Sequence, residues 1–272
     1  MPVNGATEVY GILGNPVSHS LSPAMHNAAF QALGLNKVYV PFPAVDAGAA
    51  IQGFKALGIR GASVTIPHKQ AVIPFLDSID PVAAKIGAVN TLVINEGLVF
   101  GANTDWLGAN AALKQLTPLR GKKVLLLGAG GSARAIGFGL LEEGAELTLA
   151  SRTPATGQAL AEVLGCPWAP LNSVIGFAAD ILINATSVGM GKSTGLSPVP
   201  REAVANFALV MDIVYSPLET LLLREAHAAG CRTINGLAML LYQGVAQFER
   251  WTGVQAPVEI MRQELVTGMA GR

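Results

Sequence analysis

A glycine-rich turn leaves this chain few architectures to choose from. Gly128-Ala129-Gly130-Gly131-Ser132-Ala133 follows directly on the apolar run Val124-Leu125-Leu126-Leu127 and opens a stretch with helical spacing. This is G-x-G-x-x-A between a strand and a helix, the setting of a dinucleotide-binding turn. The first glycine turns the chain, the second lets the backbone approach a pyrophosphate, and the small third residue lets helix and strand pack closely. The helix start adds N–H groups and positive potential. About twenty residues further on, where an acidic residue would bind a ribose 2′-hydroxyl, the chain reads Ala150-Ser151-Arg152-Thr153. A guanidinium flanked by two hydroxyls suits a 2′-phosphate, which a carboxylate would repel, so NADP is the expected cofactor. The competing reading of Arg152 is an ordinary solvated arginine.

The rest of the chain alternates in the same way. Apolar runs at 123–127, 146–150, 180–184 and 209–214 read as strands separated by helical stretches. After Gly236 the pattern is helical over 237–252, stopped by Gly253, and again over 258–266 after Pro257. Upstream, runs at 9–13, 37–42 and 62–66 alternate with helices over 23–33 and 47–57, the first with Ser22 as N-cap and Pro23 at its first position. This β-α-β-α-β order predicts a parallel sheet. Residues 90–94 and 98–101, separated by Asn95-Glu96-Gly97, read as a hairpin. A helix then starts near Thr104-Asp105 and fades at Thr117-Pro118. The expected fold class is α/β with two domains: residues 1–105, mainly parallel, and residues 106–236, a Rossmann-like dinucleotide-binding domain. Residues 237–272 are expected to pack back on the first domain.

Composition excludes several classes of partner. Lys and Arg total 18 and Asp and Glu total 18, so no net charge is left for gripping nucleic acid or an anionic membrane. Half of the residues are hydrophobic (51%), yet apolar stretches such as 237–241 fall far short of the ~20 residues that span a bilayer. The opening Met1-Pro2-Val3-Asn4 has no basic segment followed by an apolar one, so no signal peptide is expected. Cys166 and Cys231 have neither disulfide density nor metal-ligand spacing. A reduced, cytoplasmic protein without a structural metal is expected, working on a small molecule as a monomer or homodimer.

Eight segments in order resemble the shikimate dehydrogenase family and together cover nearly the whole chain. They are Gly14-Asn15-Pro16-Val17-Ser18-His19-Ser20-Leu21-Ser22-Pro23, Val64-Thr65-Ile66-Pro67-His68-Lys69, Gly87-Ala88-Val89-Asn90-Thr91, Asn103-Thr104-Asp105, the glycine turn, Asn184-Ala185-Thr186-Ser187-Val188-Gly189-Met190, Asp212-Ile213-Val214-Tyr215, and 236–243. The resemblance implies NADP-dependent reduction of 3-dehydroshikimate to shikimate, in aromatic amino acid biosynthesis. It makes residues 1–105 the substrate-binding, catalytic domain. It also leaves open the family's quinate/shikimate or aminoshikimate branch and, on the same scaffold, a non-catalytic NADP-binding regulator.

The resemblance assigns Lys69 and Asp105 to the chemistry. Reducing a ketone adds hydride to carbon and a proton to oxygen, and a lysine with an ordinary pKa of ~10.4 carries that proton at neutral pH. A neighbouring carboxylate would hold it charged. The bland readings are a surface lysine and an Asp105 helix cap. Ser20 and Ser22, at a strand-to-helix junction, suit a substrate carboxylate or simple capping. Tyr215 resembles a further carboxylate contact. Asn90, Thr65 and Gln243 resemble contacts to the ring hydroxyls and carbonyl, and the Thr65 methyl is a steric reason to prefer shikimate over quinate. Toward the cofactor the resemblance adds Ala129, Gly131, Ser132, Ser151, Thr153, Thr156, Ile213, Gly236 and Met239 to Gly128, Gly130 and Arg152. His26 and His227 read as helix-surface residues.

Three positions depart from the family pattern. Ser63 stands where asparagine is common, shortening the reach of a hydrogen bond near the substrate or nicotinamide. Thr156 stands where a second arginine often reads the 2′-phosphate, which weakens the expected preference for NADP. Trp106 replaces a frequent glycine and is expected to pack at the junction of the two domains.

Overall fold

A computed structural model describes residues 3–270; Met1, Pro2, Gly271 and Arg272, which belong to the sequence expectations about the start of the chain and the domain limits, lie outside the described residues. The chain divides into two compact units, the first running through Thr104 and resuming at Gln243, the second Asp105–Tyr242.

In the first unit β1 (Glu8–Gly14), α1 (Ser22–Ala32), β2 (Lys37–Pro43), α2 (Ala47–Ala56) and β3 (Gly61–Val64) form the expected alternation. They are followed by β4 (Ser78–Ile79), α3 (Pro81–Ile86), β5 (Thr91–Asn95) and β6 (Leu98–Ala102). The sheet order is β2-β1-β3-β5-β6-β4. β1 pairs in parallel with β2 and β3, whereas β5 is antiparallel to both β3 and β6. The hairpin turn needs left-handed backbone at two successive residues, Glu96 (φ 50°) and Gly97 (φ 76°), so β5 runs on through Asn95. Local chemistry sets the helix ends. Asp46 and Asp80 accept N–H groups at the starts of α2 and α3, and Gly87 (φ 67°) ends α3 in the left-handed region. β4 and α3 are too short to show a period in the sequence.

The second unit contains α4 (Asp105–Lys114), β7 (Lys123–Leu127), α5 (Gly131–Glu142), β8 (Glu146–Ser151), α6 (Pro154–Leu164) and β9 (Trp168–Pro170). It continues with β10 (Ile181–Asn184), α7 (Arg201–Val204), β11 (Leu209–Asp212), α8 (Leu221–Ala228) and β12 (Arg232–Ile234). All neighbours in the sheet β12-β11-β10-β7-β8-β9 are parallel. Counted from β7, this is the doubly wound 3-2-1-4-5-6 order, whose switch point lies between β7 and β10. Burial on both faces explains the uninterrupted apolar runs. Val124, Leu126, Ile181, Ile183, Leu209 and Met211 join one core, while Leu125, Leu127, Leu182 and Val210 join the core on the opposite face. Each such side chain stabilises the fold by ~1.5–3 kcal/mol relative to leaving it exposed.

The last helices are α9 (Gly236–Thr252) and α10 (Val258–Ala270). The division between units falls inside α9, so the return begins at Gln243 and not at Leu237. The reason is visible in the packing: Met239 is part of the second unit's core, whereas Phe248 and Trp251 stack with Phe30 and Tyr10 of the first. Asp105 likewise opens α4 and falls in the second unit, so the first unit ends at Thr104.

Several local expectations need correcting. Ser22 is the first residue of α1 and Leu21 is its N-cap, with no side-chain cap; Ser20 Oγ instead accepts the Ser22 N–H at 3.2 Å. Asp105 is the first helical residue of α4, so its carboxylate favours that helix end by charge without being the cap residue. Trp106 meets Phe138 of α5 edge-on, ring centroids 5.9 Å apart, inside the second unit. His26 is not on a surface: it is completely buried among Tyr39, Trp251, Phe30 and Phe248.

Candidate active site

Within the first unit Asn90, just ahead of β5, is buried with Gln243, another expected substrate residue, beside it. Its Oδ1 accepts the Thr104 backbone N–H at 2.7 Å and the Thr91 hydroxyl at 2.7 Å. Its backbone carbonyl accepts from Val64 N at 2.7 Å and from Gln247 Nε2 at 3.0 Å. The amide Nδ2 lies 3.1 Å from Thr104 Oγ1 and 3.4 Å from Gln243 Oε1. Thr104 in turn donates its hydroxyl to the Gln243 carbonyl at 3.0 Å. A backbone N–H can only donate, so the Thr104 contact fixes the orientation of the Asn90 carboxamide without ambiguity.

β3 stops at Val64, two residues short of the apolar run, and the chain turns over Thr65 to Lys69. Thr65 N donates to Leu13 O and its own carbonyl accepts from His68 N, both at 2.9 Å. A Cβ on Gly14 would stand 2.3 Å from Thr65 Cγ2, so the threonine methyl rests directly on the β1 backbone. That contact restricts the rotamer of this β-branched side chain. His68 is buried and its Nε2 lies 2.7 Å from Ala44 O, pinning the turn to the loop after β2. The Lys69 carbonyl accepts Val89 N at 2.7 Å, next to Asn90. Asn103 Nδ2 donates to Ala88 O at 2.9 Å, which fixes the segment leading through Thr104 to Asp105.

In the second unit the glycine turn sits at the carboxyl end of β7. Gly128 has φ +114°, and a Cβ there would meet Ala185 O at 2.9 Å, so both conformation and space exclude a side chain. Gly130, the N-cap of α5, is exposed in extended backbone, and a Cβ there would meet nothing within 4 Å. Ala129, Gly131 and Ser132 complete the turn and the first residues of α5. At the end of β8, Arg152, Thr153 and Thr156 are exposed around the start of α6. Ser151 differs from them: it is buried, donates to Thr153 O and accepts from Trp168 Nε1, each at 3.0 Å. Its hydroxyl is spent on the turn that presents Arg152, which removes it from the expected phosphate contacts.

Beyond β10 and β11 a second buried polar cluster shapes the loops. Asn184 Nδ2 donates to Asp212 Oδ1 at 2.9 Å and to Val188 O at 3.1 Å, while its Oδ1 accepts from the Thr186 hydroxyl and N–H. Asp212 also accepts from Val214 N at 3.0 Å and the Thr220 hydroxyl at 2.7 Å. Burial nevertheless pushes its pKa up to about 6. Ile213 and Tyr215, half-buried, follow on this support. Gly236 is dictated by close approach, since a Cβ would stand 2.3 Å from Ile213 O.

Comparison with known proteins decides the family. A family model for the shikimate dehydrogenase substrate binding domain matches residues 12–92, and one for the shikimate 5′-dehydrogenase C-terminal domain matches residues 236–266. The NADP(+) shikimate dehydrogenase of Pyrococcus abyssi is 47% identical over 258 residues, 94% of this chain and 96% of the relative. The chain belongs to the shikimate dehydrogenase family. Among solved structures, a shikimate dehydrogenase in complex with NADP+ superposes with a TM-score of 0.93 at 41% identity, covering 98% of each chain. Shikimate 5-dehydrogenase from Thermus thermophilus, in complex with NADP(H) and shikimate, gives 0.89 at 40% identity, over 96% of this chain and 100% of the other.

For a shikimate dehydrogenase the glycine turn fits a dinucleotide: the turn that forbids a side chain at Gly128 leaves open space in front of Gly130 and the uncapped start of α5. Arg152 stands exposed beside the start of α6, which no side chain caps. Sequence reasoning missed the residues that hold these groups, namely Thr104, His68, Gln247, Asn184 and Asp212. The motifs contain four of them, but their roles depend on partners far away in the chain. Gln247 lies outside every motif.

Proposed function

We propose that this protein reduces 3-dehydroshikimate to shikimate with NADPH, in aromatic amino acid biosynthesis, with Lys69 and Asp105 as the acid-base pair. The activity and the cofactor are those of the family. Placement of the substrate is carried by one observation, the buried cluster in which Thr104 and Thr91 turn the Asn90 carboxamide so that its N–H groups lie beside Gln243. A carboxamide pair of this kind can exchange its mutual contact for the hydroxyl or carbonyl oxygen of a ligand.

The bound nicotinamide supplies the hydride. Lys69 gives its proton to the ketone oxygen and polarises the carbonyl, and Asp105 keeps it charged between turnovers. The turn from Thr65 to Lys69, tied to Leu13, Ala44 and Val89, supports a fixed position for that ammonium. Ser20 and Ser22 at the head of α1, with Tyr215, bind the ring carboxylate, and Thr65, Asn90 and Gln243 bind the ring oxygens. Gly128 to Ser132, Arg152, Thr153 and Thr156 hold the cofactor's phosphates, while Ile213, Gly236 and Met239 line the nicotinamide side.

No helix among the described residues is long and apolar enough to cross a membrane, and both cysteines are free thiols. We assign the protein to the cytoplasm, as a monomer or homodimer with a small-molecule partner. The test is NADPH consumption on adding 3-dehydroshikimate. Turnover dependent on that ketone is expected; its absence refutes the enzyme in favour of a cofactor-binding regulator.

A further inference from the structure

We infer that Gln247 is a positioning residue for the substrate: a buried relay running through it acts together with the Thr104 N–H to hold the Asn90 carboxamide in place beside Gln243. The relay runs in one direction. The Tyr39 hydroxyl donates to Ser63 Oγ at 2.6 Å, and Ser63 Oγ donates to Gln247 Oε1 at 2.7 Å. With its acceptor thus engaged, Gln247 turns both N–H groups of Nε2 to Asn90 O and Thr91 Oγ1, each at 3.0 Å. Thr91 Oγ1 has one proton, and it goes to Asn90 Oδ1 at 2.7 Å. Each hydroxyl therefore donates once and accepts once, and the chain of donors ends on the oxygen of Asn90. Nδ2 is the other end, beside Thr104 Oγ1 and Gln243 Oε1.

Ser63, Thr91 and Gln247 are buried, with Gln247 and Thr91 showing no exposed surface. Water does not reach this relay to replace a missing link, so deleting one leaves an unsatisfied polar group beside Asn90. The relay begins at the Tyr39 hydroxyl and finishes at a residue assigned to the ring oxygens. It also accounts for the departure at position 63. Ser63 lies opposite Thr91 in the β3–β5 register but spends its hydroxyl on Gln247, 184 positions away, whose carboxamide bonds to Asn90 and Thr91.

This inference rests on the reading of Asn90 as a substrate ligand, and the experiment separates the two. Steady-state kinetics with shikimate and NADP would be measured for Asn90→Ala, Gln247→Leu and the double variant Ser63→Asn, Gln247→Ala. If Asn90→Ala leaves the shikimate KM unchanged, the reading of the site fails whatever Gln247 does. With that reading intact, Gln247→Leu is expected to lower kcat/KM for shikimate by ~10-fold or more, the scale of a small misplacement, with the NADP KM unaltered. The double variant, which moves the carboxamide back to position 63, is expected to recover most of the loss. Unchanged shikimate kinetics in Gln247→Leu, or a folded double variant without recovery, overturns the relay. Should Gln247→Leu not fold, the double variant alone decides. Failure of both to fold makes Gln247 a residue of the core only and also overturns it.

Discussion

The imidazole of His26 lies flat on the ring of Tyr39, centroids 4.6 Å and planes 19° apart. Neither ring nitrogen has a full hydrogen bond. Burial drives the pKa down from 6.5 to about 3, only weakly opposed by the nearby Gln247 side chain. The unfolded chain therefore binds one more proton than the folded protein between these values, and folding stability rises with pH across that window. The contribution is complete above pH 6.5 and is lost as the pH falls towards 3, at ~1.4 kcal/mol per unit. His26→Phe is expected to gain stability relative to the parent as the pH is lowered from 6.5 to 4. Urea unfolding at several pH values measures it; a difference that does not change with pH disproves the assignment.

Asp212 has the opposite sign. Its folded pKa, raised from 3.8 to about 6, means that the folded protein holds the extra proton in that window, so stability falls as the pH rises through it. Asp212→Asn is expected to remove this slope, so that its stability relative to the parent improves by ~3 kcal/mol between pH 3.8 and 6. An asparagine there can still accept from Val214 N. Because the two slopes oppose each other, the parent's stability should vary little over this range from these groups, and each single variant should expose the other. A parent curve as steep as the variants' would contradict the pair.

Two glycines of one turn should fail in different ways. Gly128→Ala puts a side chain on a left-handed residue and 2.9 Å from Ala185 O, so a loss of ~1–3 kcal/mol of folding stability is expected. Gly130→Ala strains nothing and meets nothing within 4 Å, so its thermal unfolding should match the parent's. Its methyl instead occupies the space offered to the pyrophosphate, and NADPH affinity should fall by ~10-fold or more, the cost of one displaced charge-assisted contact. Calorimetry of unfolding and of binding on both variants checks the split; normal binding by Gly130→Ala would place the pyrophosphate elsewhere.

Arg152 is exposed beside the uncapped start of α6. Arg152→Ala is expected to weaken NADPH by ~10- to 100-fold, the range of hydrogen bonds to charged groups, and to leave NADH nearly unchanged. Thr156→Arg should tighten NADPH. Equal effects on both cofactors would show that these residues only support the turn.

Lys69→Ala is expected to reduce kcat by ~10² or more, the usual scale for general acid-base catalysis, at an unchanged NADPH affinity. Single-turnover reduction of 3-dehydroshikimate measures the step directly. Near-normal turnover would remove Lys69 from proton transfer.

What could be read in the sequence was whatever depends on neighbours along the chain. β7 and β10 are legible because both of their faces are buried, and the turn at Gly128 because its geometry forbids a side chain. β9 and β12, three residues each, carry no period. His26 sits at a polar position of a weakly amphipathic helix, and Tyr39 together with Phe248 and Trp251, from the other end of the chain, makes that position a core. The site shows the same limit. Arg152 follows from its spacing to the glycines, but the loss of Ser151 to Trp168 depends on where β9 lies. Likewise the partner of Ser63 is a glutamine 184 residues away that no local pattern marks.

The first unit is assembled from two separated stretches, with the whole of the second unit between them in the sequence. On a ribosome, residues 3–104 leave the exit tunnel well before Gln247, Phe248 and Trp251 exist. Until then the indole that donates to Leu92 O at 2.9 Å is missing, and His26 has the rings of Tyr39 and Phe30 but not those of Phe248 and Trp251. The intervening unit is continuous from Asp105 to Tyr242. The nascent chain should therefore complete its nucleotide-binding half first and hold the substrate half open until α9 has been made. For that interval Tyr10, Phe30 and Tyr39 lack the rings of Trp251 and Phe248 that pack on them in the finished protein.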